Sequence, residues 1–456
     1  MRIRNYQPED RTQVEKICAD TGLRGHLDQL FCDRELFAKI WLAPYLDNEP
    51  ENCFVAEDEG RVVGYIVCAL HPQFQKRALR ALGPHLLTML RSTMAGRYRL
   101  HPESHRFVRW LLLKSWREKP AEPQNSTHLH FNVAEGYRNG ELGLDLLATY
   151  FRQLRERGFK QFHAVVWAGS GAREIERYLR LGFDPYSISP TTVLPEPIFF
   201  TCLTRDVPKG ERMDRRRLPD PPPLSIVIPA HNEAETLPRL LGSLQKQVLK
   251  TFEMVVVADN CTDATAEVAE RFGARVVTGS YGSASASRNA GLRAARGDAF
   301  LVLDADTEVP EDLTFRVAEA IRKGAAVGAP KLFARERLSA KLFVVGQNLF
   351  SGLLGTYGGS AIFFTRRAHE AGGGYDENLK WGEDIEMSLR LGRCGRRTPL
   401  PCRVLYNERK WQNNGTWREN WTRLKMTLLS TPRVLKALFR NMRKQAGRLA
   451  SEADSG

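Results

Sequence analysis

From Leu224 onward the chain alternates short apolar runs with stretches in which leucine returns every third or fourth residue. LSIVIPA, Leu224 to Ala230, is β-branched and unbroken, and reads as a buried strand. Glu235 to Gln247 puts Leu237, Leu240, Leu241 and Leu244 on one face of a helix. Met254 to Ala258 is a second strand, and Arg275 to Thr278 a short third one. Between them lies a helix capped by Thr262 or Asp263 and closed by Gly273. After the small-residue loop from Ser280 to Ser287, Arg288 to Ala295 reads as helical. Four apolar residues, Phe300 to Leu303, then run into Asp304-Ala305-Asp306. Ala361 to Thr365 is a later strand. This β-α order predicts a parallel, helix-covered sheet whose ligands bind outside the carboxyl ends of its strands.

The first half is patterned differently. Arg2 to Tyr6 reads as a strand and Asp10 to Asp20 as a helix. Cys53 to Glu57 and Val62 to Leu70 form a strand pair turned at Glu59-Gly60. Gln73 to Lys119, rich in Leu, Arg and His, reads as an inserted helical region. His128 to Val133 is a strand, Leu142 to Arg157 a helix, Phe162 to Trp167 a strand and Ala172 to Leu181 a helix. His128 and His130 share one strand face; two ligands do not make a metal site, so both read as packed or surface residues. RDVPKGERMDRRRLPDPPP, Arg205 to Pro223, is charged and Pro-rich without apolar periodicity, and reads as a linker. The expected organisation is a domain over 1–205, a linker over 206–223, a second domain over 224–411 and a basic helical tail over 412–456.

Composition narrows the class. The 456 residues are 42% hydrophobic and 26% charged, which suits globular domains with ordinary cores. The eight cysteines are scattered without a Cys-x-x-Cys, which fits a reducing, cytoplasmic setting rather than a disulfide scaffold. MRIRNYQPED has no apolar segment of signal-peptide type. Leu342 to Phe364 comes nearest to a membrane span, but Gln347, Asn348 and small residues interrupt it. The net charge of +14 implies anionic partners. Nucleic acid ranks low among them, because no basic stripe with interleaved aromatics and no reader motif is present.

Chemistry concentrates at the predicted strand ends. Glu233, Asp259, Asp304 and Asp306 all fall there, and crowded anions raise one another's proton affinity unless a cation neutralises them. Two carboxylates one residue apart suit Mg²⁺ or Mn²⁺ shared with a substrate diphosphate. IVIPAHNEAETL, VVVADNCTDAT, SRNAGLRAARGDAFLVLDADT and WGEDIEMSLRL resemble the successive motifs of glycosyltransferase family 2, with its GT-A (Rossmann-like) fold. The resemblance implies a hexosyl-type transferase that moves sugar from a nucleotide-diphospho-sugar to an acceptor hydroxyl with inversion. It places Pro229, Ala230, Glu233 and Asp259 in the nucleotide pocket and Arg288 near the diphosphate. It sets Asp304 on ribose or metal, Asp306 on the metal and Asp384 as catalytic base. Glu383 orients the acceptor, and Arg409 is a cationic clamp. Small-residue loops at Gly358-Gly359-Ser360 and Gly372-Gly373-Gly374 are the expected acceptor side.

The first half has its own anion cradle. VAEGYRNGELGLDLL, Val133 to Leu147, is a strand, a glycine-bearing loop and a helix N-terminus, which together favour a phosphate. The stretch is similar to the pyrophosphate loop of the GNAT acetyltransferases, and Leu181-Gly182-Phe183 to a late turn of that fold. The resemblance implies acetyl-CoA held by Val133, Arg138 and Gly143, with Tyr178 as general acid. Glu141 stands where the pattern has glycine. The alternatives are a bifunctional acetyltransferase/glycosyltransferase and a GNAT-shaped module that only binds. Pro432 to Arg448 is basic and amphipathic, with Leu435, Leu438 and Phe439 on one side. It reads as a packed terminal helix or as a peripheral contact with the inner face of a membrane.

Overall fold

The computed structural model describes residues 1–25, 27–71, 73–124, 126–138, 141–170, 174–208, 223–335, 337–354, 356–357, 361–379 and 382–406. Arg409, the basic tail, the core of the Pro-rich stretch and the loop 358–360 lie outside them. The chain divides into two compact units, Met1–Arg217 and Leu218–Gly456.

The first unit opens with β1 (Arg2–Asn5), α1 (Arg11–Thr21), α2 (Leu27–Leu30), α3 (Arg34–Leu46), β2 (Phe54–Asp58) and β3 (Arg61–Ala69). The helices α4 (Phe74–Met94), α5 (Pro102–Leu113) and α6 (Ser115–Glu118) make up the inserted region. β4 (Thr127–Val133), α7 (Glu141–Glu156), β5 (Gln161–Gly169), α8 (Glu174–Arg180), β6 (Asp184–Thr191) and β7 (Ile198–Asp206) complete it. The strands lie in the order β1-β2-β3-β4-β5-β7-β6. Glu59 (φ 47°) and Gly60 (φ 78°) both take positive φ, the conformation that a two-residue hairpin turn between β2 and β3 requires. β4 and β5 run parallel but pair only at Thr127–Phe162 and His128–His163, and then part. The sequence pattern did not reveal β6, which carries Pro185 and Pro190. It is an edge strand, where a missing N–H is tolerated.

The second unit contains β8 (Leu224–Ala230), α9 (Leu237–Gln245), β9 (Phe252–Asp259), α10 (Thr265–Arg271), β10 (Arg275–Gly279), α11 (Ala284–Ala294) and β11 (Ala299–Leu303). There follow α12 (Leu313–Arg322), β12 (Ala325–Phe333), α13 (Leu338–Leu354), β13 (Ala361–Thr365), α14 (Arg366–Gly372), α15 (Glu383–Leu391) and β14 (Arg396–Leu405). The sheet order is β10-β9-β8-β11-β13-β12-β14. The expectation of a parallel sheet holds for β10, β9, β8 and β11, but β13 runs antiparallel to both β11 and β12. The chain therefore leaves β12 and re-enters β13 at the same edge, the one where β8 and β11 end. α13 hangs from that edge at both ends instead of crossing a face.

The leucines of α9 are buried against β8 and β11, as the helical spacing predicted. On the other face α11 packs closely on β8 and β9. A Cβ on Gly291 would lie 2.4 Å from Val227 Cγ1, so glycine sets that approach. The close packing fixes where Ser287 and Arg288, one turn earlier on α11, meet the sheet edge.

Candidate active site at the carboxyl edge of the second sheet

Arg288 is the centre of the site. It is only 6% exposed, because it stands on the face of α11 that the sheet covers. Its Nη1 donates to Glu383 Oε1 at 2.8 Å and its Nη2 to Asp304 Oδ1 at 3.1 Å. Asp384 Oδ1 lies 3.7 Å from Nη1. The ring of Tyr375 sits 5.3 Å from the guanidinium carbon. Burial opposes the charge, but Asp384, Asp304 and Glu383 outweigh it and hold Arg288 well above its ordinary range. Of the four acids expected from sequence to crowd at this edge, Glu233, Asp259, Asp304 and Asp306, Asp304 alone joins this cluster; its other members are Glu383 and Asp384, and the charge between them is the protein's own guanidinium.

Separate elements deliver the three carboxylates. Asp304 follows the last residue of β11. Glu383 and Asp384 occupy the first turn of α15, where the helix dipole favours acids. α15 is anchored by a buried pair, Arg390 with Glu386, at 2.8 Å. Arg390 also donates to Gly373 O at 3.0 Å, Gly374 O at 2.8 Å and Gly372 O. The glycines at 372–374 thus serve a turn wrapped on Arg390. Asn289 fastens the same turn, accepting from Tyr375 N at 2.8 Å and donating to Tyr375 O at 2.9 Å.

Asp259, at the end of β9, accepts from Tyr281 N–H at 2.8 Å and from the Ser287 hydroxyl. Ser287 precedes Arg288, so one helical turn joins Asp259 to the carboxylate cluster. Glu233 lies in the loop after β8. Its carboxylate accepts from Thr236, and its N–H donates to Thr265 Oγ1 at 2.9 Å. Pro229 and Ala230 form the last two positions of β8, beside Val257 and Ala258. Asp306 is half-buried in the turn after β11, which Thr307 N closes on Asp304 O at 3.1 Å.

The structure thus brings Arg288, Asp304, Glu383 and Asp384 into contact, with Asp259 and Asp306 on neighbouring loops of the same edge. Sequence reasoning gave no role to Tyr375, Ser287 or Asn289. Only the adjacency of Ser287 and Asn289 to Arg288 on one helix hinted at theirs.

Two buried donors at the site, Arg288 Nε and the Tyr375 hydroxyl, have no hydrogen-bond partner. Such atoms are costly unless a ligand or water meets them. Among the described residues no group of three or more His, Cys, Asp or Glu is arranged to hold an ion alone. A Mg²⁺ or Mn²⁺ completed by substrate oxygens needs only one or two protein carboxylates. Asp304 and Asp306, one residue apart in the turn after β11, supply that number of carboxylates, with Asp304 Oδ1 engaged by Arg288 Nη2.

The other expected site residues belong to the first unit. Arg138 Nε donates to Val133 O at 3.0 Å. A Cβ on Gly143 would touch Phe131 at 3.4 Å, so α7 lies close on β4 there. Tyr178 packs on Phe131 and Phe183, and burial holds its hydroxyl well above the usual range. The His128 ring bonds the Tyr45 hydroxyl at 2.6 Å. His128 and His130 face a cavity of about 320 Å³ walled by Trp41, Tyr45, Phe74 and Trp167.

Residues 225–343 match the model of the family described as Glycosyl transferase family 2, and residues 25–183 that of the Acetyltransferase (GNAT) family. The chain joins a GNAT unit to a family 2 glycosyltransferase unit. The expected α/β class, with a GNAT-like domain followed by a GT-A domain, stands. The chain is 37% identical over 117 residues to an undecaprenyl-phosphate 4-deoxy-4-formamido-L-arabinose transferase from Pseudomonas fluorescens, covering 23% of this chain and 34% of that protein. A β-monoglucosyldiacylglycerol synthase from Synechocystis sp. is 23% identical over 306 residues, 61% of this chain and 58% of that protein. A dolichol-phosphate mannosyltransferase from Pyrococcus furiosus is 32% identical over 111 residues, 23% of this chain and 31% of that protein. The chain therefore spans between about a third and three fifths of the length of these relatives.

Proposed function

We propose that the family 2 unit is an inverting, metal-dependent glycosyltransferase that moves a sugar from a nucleotide-diphospho-sugar to an acceptor hydroxyl. The observation that carries this reading is the convergence of Asp304, Glu383 and Asp384 on Arg288 at the carboxyl edge of the sheet. Asp384 accepts the acceptor's proton as general base, and Glu383 orients the acceptor. Attack from the side opposite the leaving diphosphate inverts the anomeric carbon. Arg288 lies beside both acids, 2.8 Å from Glu383 Oε1 and 3.7 Å from Asp384 Oδ1. Asp259 accepts from the nucleotide base, with Pro229, Ala230 and Glu233 lining the pocket, and Arg409 closes over the diphosphate. A divalent ion on Asp304 and Asp306 supplies Lewis-acid stabilisation of the leaving diphosphate. Relatives named for undecaprenyl-phosphate, diacylglycerol and dolichol-phosphate support an acceptor carried by a lipid. A cytoplasmic protein peripheral to the inner membrane face suits such an acceptor, with the basic tail as a contact.

The test is donor hydrolysis and transfer with UDP-, GDP- and dTDP-sugars in Mg²⁺ or Mn²⁺. Asp384→Asn should lower turnover at least about a hundredfold, in line with the usual contribution of a general base. Asp306→Ala should abolish most of the metal-supported turnover. Turnover unchanged in either variant refutes the assigned role.

A second reading concerns the GNAT unit. The parting of β4 and β5 after His128 opens a gap beside the Val133–Arg138 loop, and that opening supports acetyl-CoA binding there. Glu141, in the first turn of α7, opposes a pyrophosphate. Calorimetry with acetyl-CoA separates the outcomes: heat supports a bifunctional protein, and none reduces the unit to a binding module.

A further inference from the structure

α13 has two unlike faces. Towards the sheet, Ala340 and Val344 are buried. Asn348 bonds Leu332 in both directions, accepting from its N–H at 3.0 Å and donating to its carbonyl at 2.8 Å. On the outer face Leu338 is 73% exposed, Leu342 64%, Val345 64% and Leu349 63%. Their spacing of four, three and four residues keeps them in one narrow stripe along the helix. Isolated exposed leucines need no explanation, but a contiguous apolar stripe marks an interaction surface.

The charges around the stripe point to the partner. Glu336 stands between Arg335 and Arg337, and from Arg337 to His369 the chain has no Asp or Glu. Arg335, Arg337 and Lys341 are exposed beside its first turn, Arg335 at 3.5 Å from Glu308. Aliphatic side chains rimmed by cations are the pattern of a helix lying in the interface of an anionic bilayer. α13 does not cross one: it has 17 residues, both its ends return to one sheet edge, and no described helix is long and apolar enough to span a membrane. That edge is the one holding Asp304 and Asp384.

We infer that the outer face of α13 rests on an anionic phospholipid surface, with Leu338, Leu342, Val345 and Leu349 in the acyl boundary and Arg337 and Lys341 among the headgroups. The contact presents the active-site edge to an acceptor embedded in the bilayer. Its purpose rests on the transferase reading, but the contact itself is measurable without donor.

The experiment is flotation of the full chain with phosphatidylglycerol/phosphatidylcholine vesicles and with phosphatidylcholine alone. The wild type should float with the anionic vesicles and less with neutral ones or at high salt. Leu342→Glu with Val345→Glu should lower partitioning at least about tenfold, because four apolar side chains drive it and two are lost. Gel filtration and far-ultraviolet circular dichroism of the double variant should match the wild type, and donor hydrolysis should persist. Lys341→Glu provides a milder variant that should weaken binding to anionic vesicles alone. Wild type that does not float, or a double variant that floats equally, overturns the inference. So does a wild-type dimer that the double variant dissociates, because a second copy then covers the stripe. Vesicle binding without donor hydrolysis would instead count against the transferase reading.

Discussion

Replacing Arg288 by Met keeps much of the side chain's length and deletes its charge. The Arg288 side chain is 7% exposed and those of its partners Glu383 and Asp384 are 16% and 13% exposed, so three carboxylates are left facing one another with little water. Removing one partner of a buried ion cluster costs about 3–5 kcal/mol. Asp304 is 35% exposed and screened by solvent, which puts the expected loss near the lower end, about 3 kcal/mol. The loss should depend on pH. Like charges without their cation bind protons more readily in the folded variant than in the unfolded chain. Unfolding then releases protons, so the variant's stability falls as pH rises, and the deficit is largest at pH 8 and smallest near pH 5. Urea unfolding of wild type and Arg288→Met between those limits reads both quantities. Adding Asp384→Asn to the variant removes one of the opposed charges and should restore part of the loss. A deficit below about 1 kcal/mol, the range of a surface pair, or one that is flat with pH, would refute the cluster's assigned role.

Gly328→Ala would place a Cβ 1.9 Å from Thr398 O and should part β12 from β14, at a cost of about 3 kcal/mol; an unchanged melting temperature contradicts this. Burial, aided at His128 by the nearby His163, holds His128 down at about 3 and burial alone holds His130 at about 4. Both are neutral when folded, so their contribution is complete above pH 6.5. Below it the unfolded chain takes protons first, and the GNAT unit should lose up to about 1.4 kcal/mol per pH unit for each imidazole towards pH 4. Equal melting at pH 7.5 and pH 5 rules that out. Asp259→Asn leaves either Tyr281 N–H or the Ser287 hydroxyl facing a donor, and should weaken binding of the matching nucleoside diphosphate about tenfold by calorimetry. Unchanged affinity removes Asp259 from the pocket.

The amino-acid order determined what local patterning can determine. The strands at Leu224–Ala230 and Ala299–Leu303, the leucine face of α9 and the hairpin at Glu59-Gly60 are written in short-range periodicity and turn chemistry. So is the placing of acids at strand ends. The tertiary structure alone decided which of those acids meet. Asp304 and Glu383 are far apart in the chain, and only the packing of α11 through Gly291 puts Arg288 between them. It also decided the antiparallel run of β13, since an apolar strand carries no mark of its direction. The bare stripe on α13 is the same kind of fact: a 17-residue apolar helix reads alike whether buried on every side or on one, until its neighbours are known. Contacts between distant residues depend on three-dimensional closure, and no window of sequence contains them.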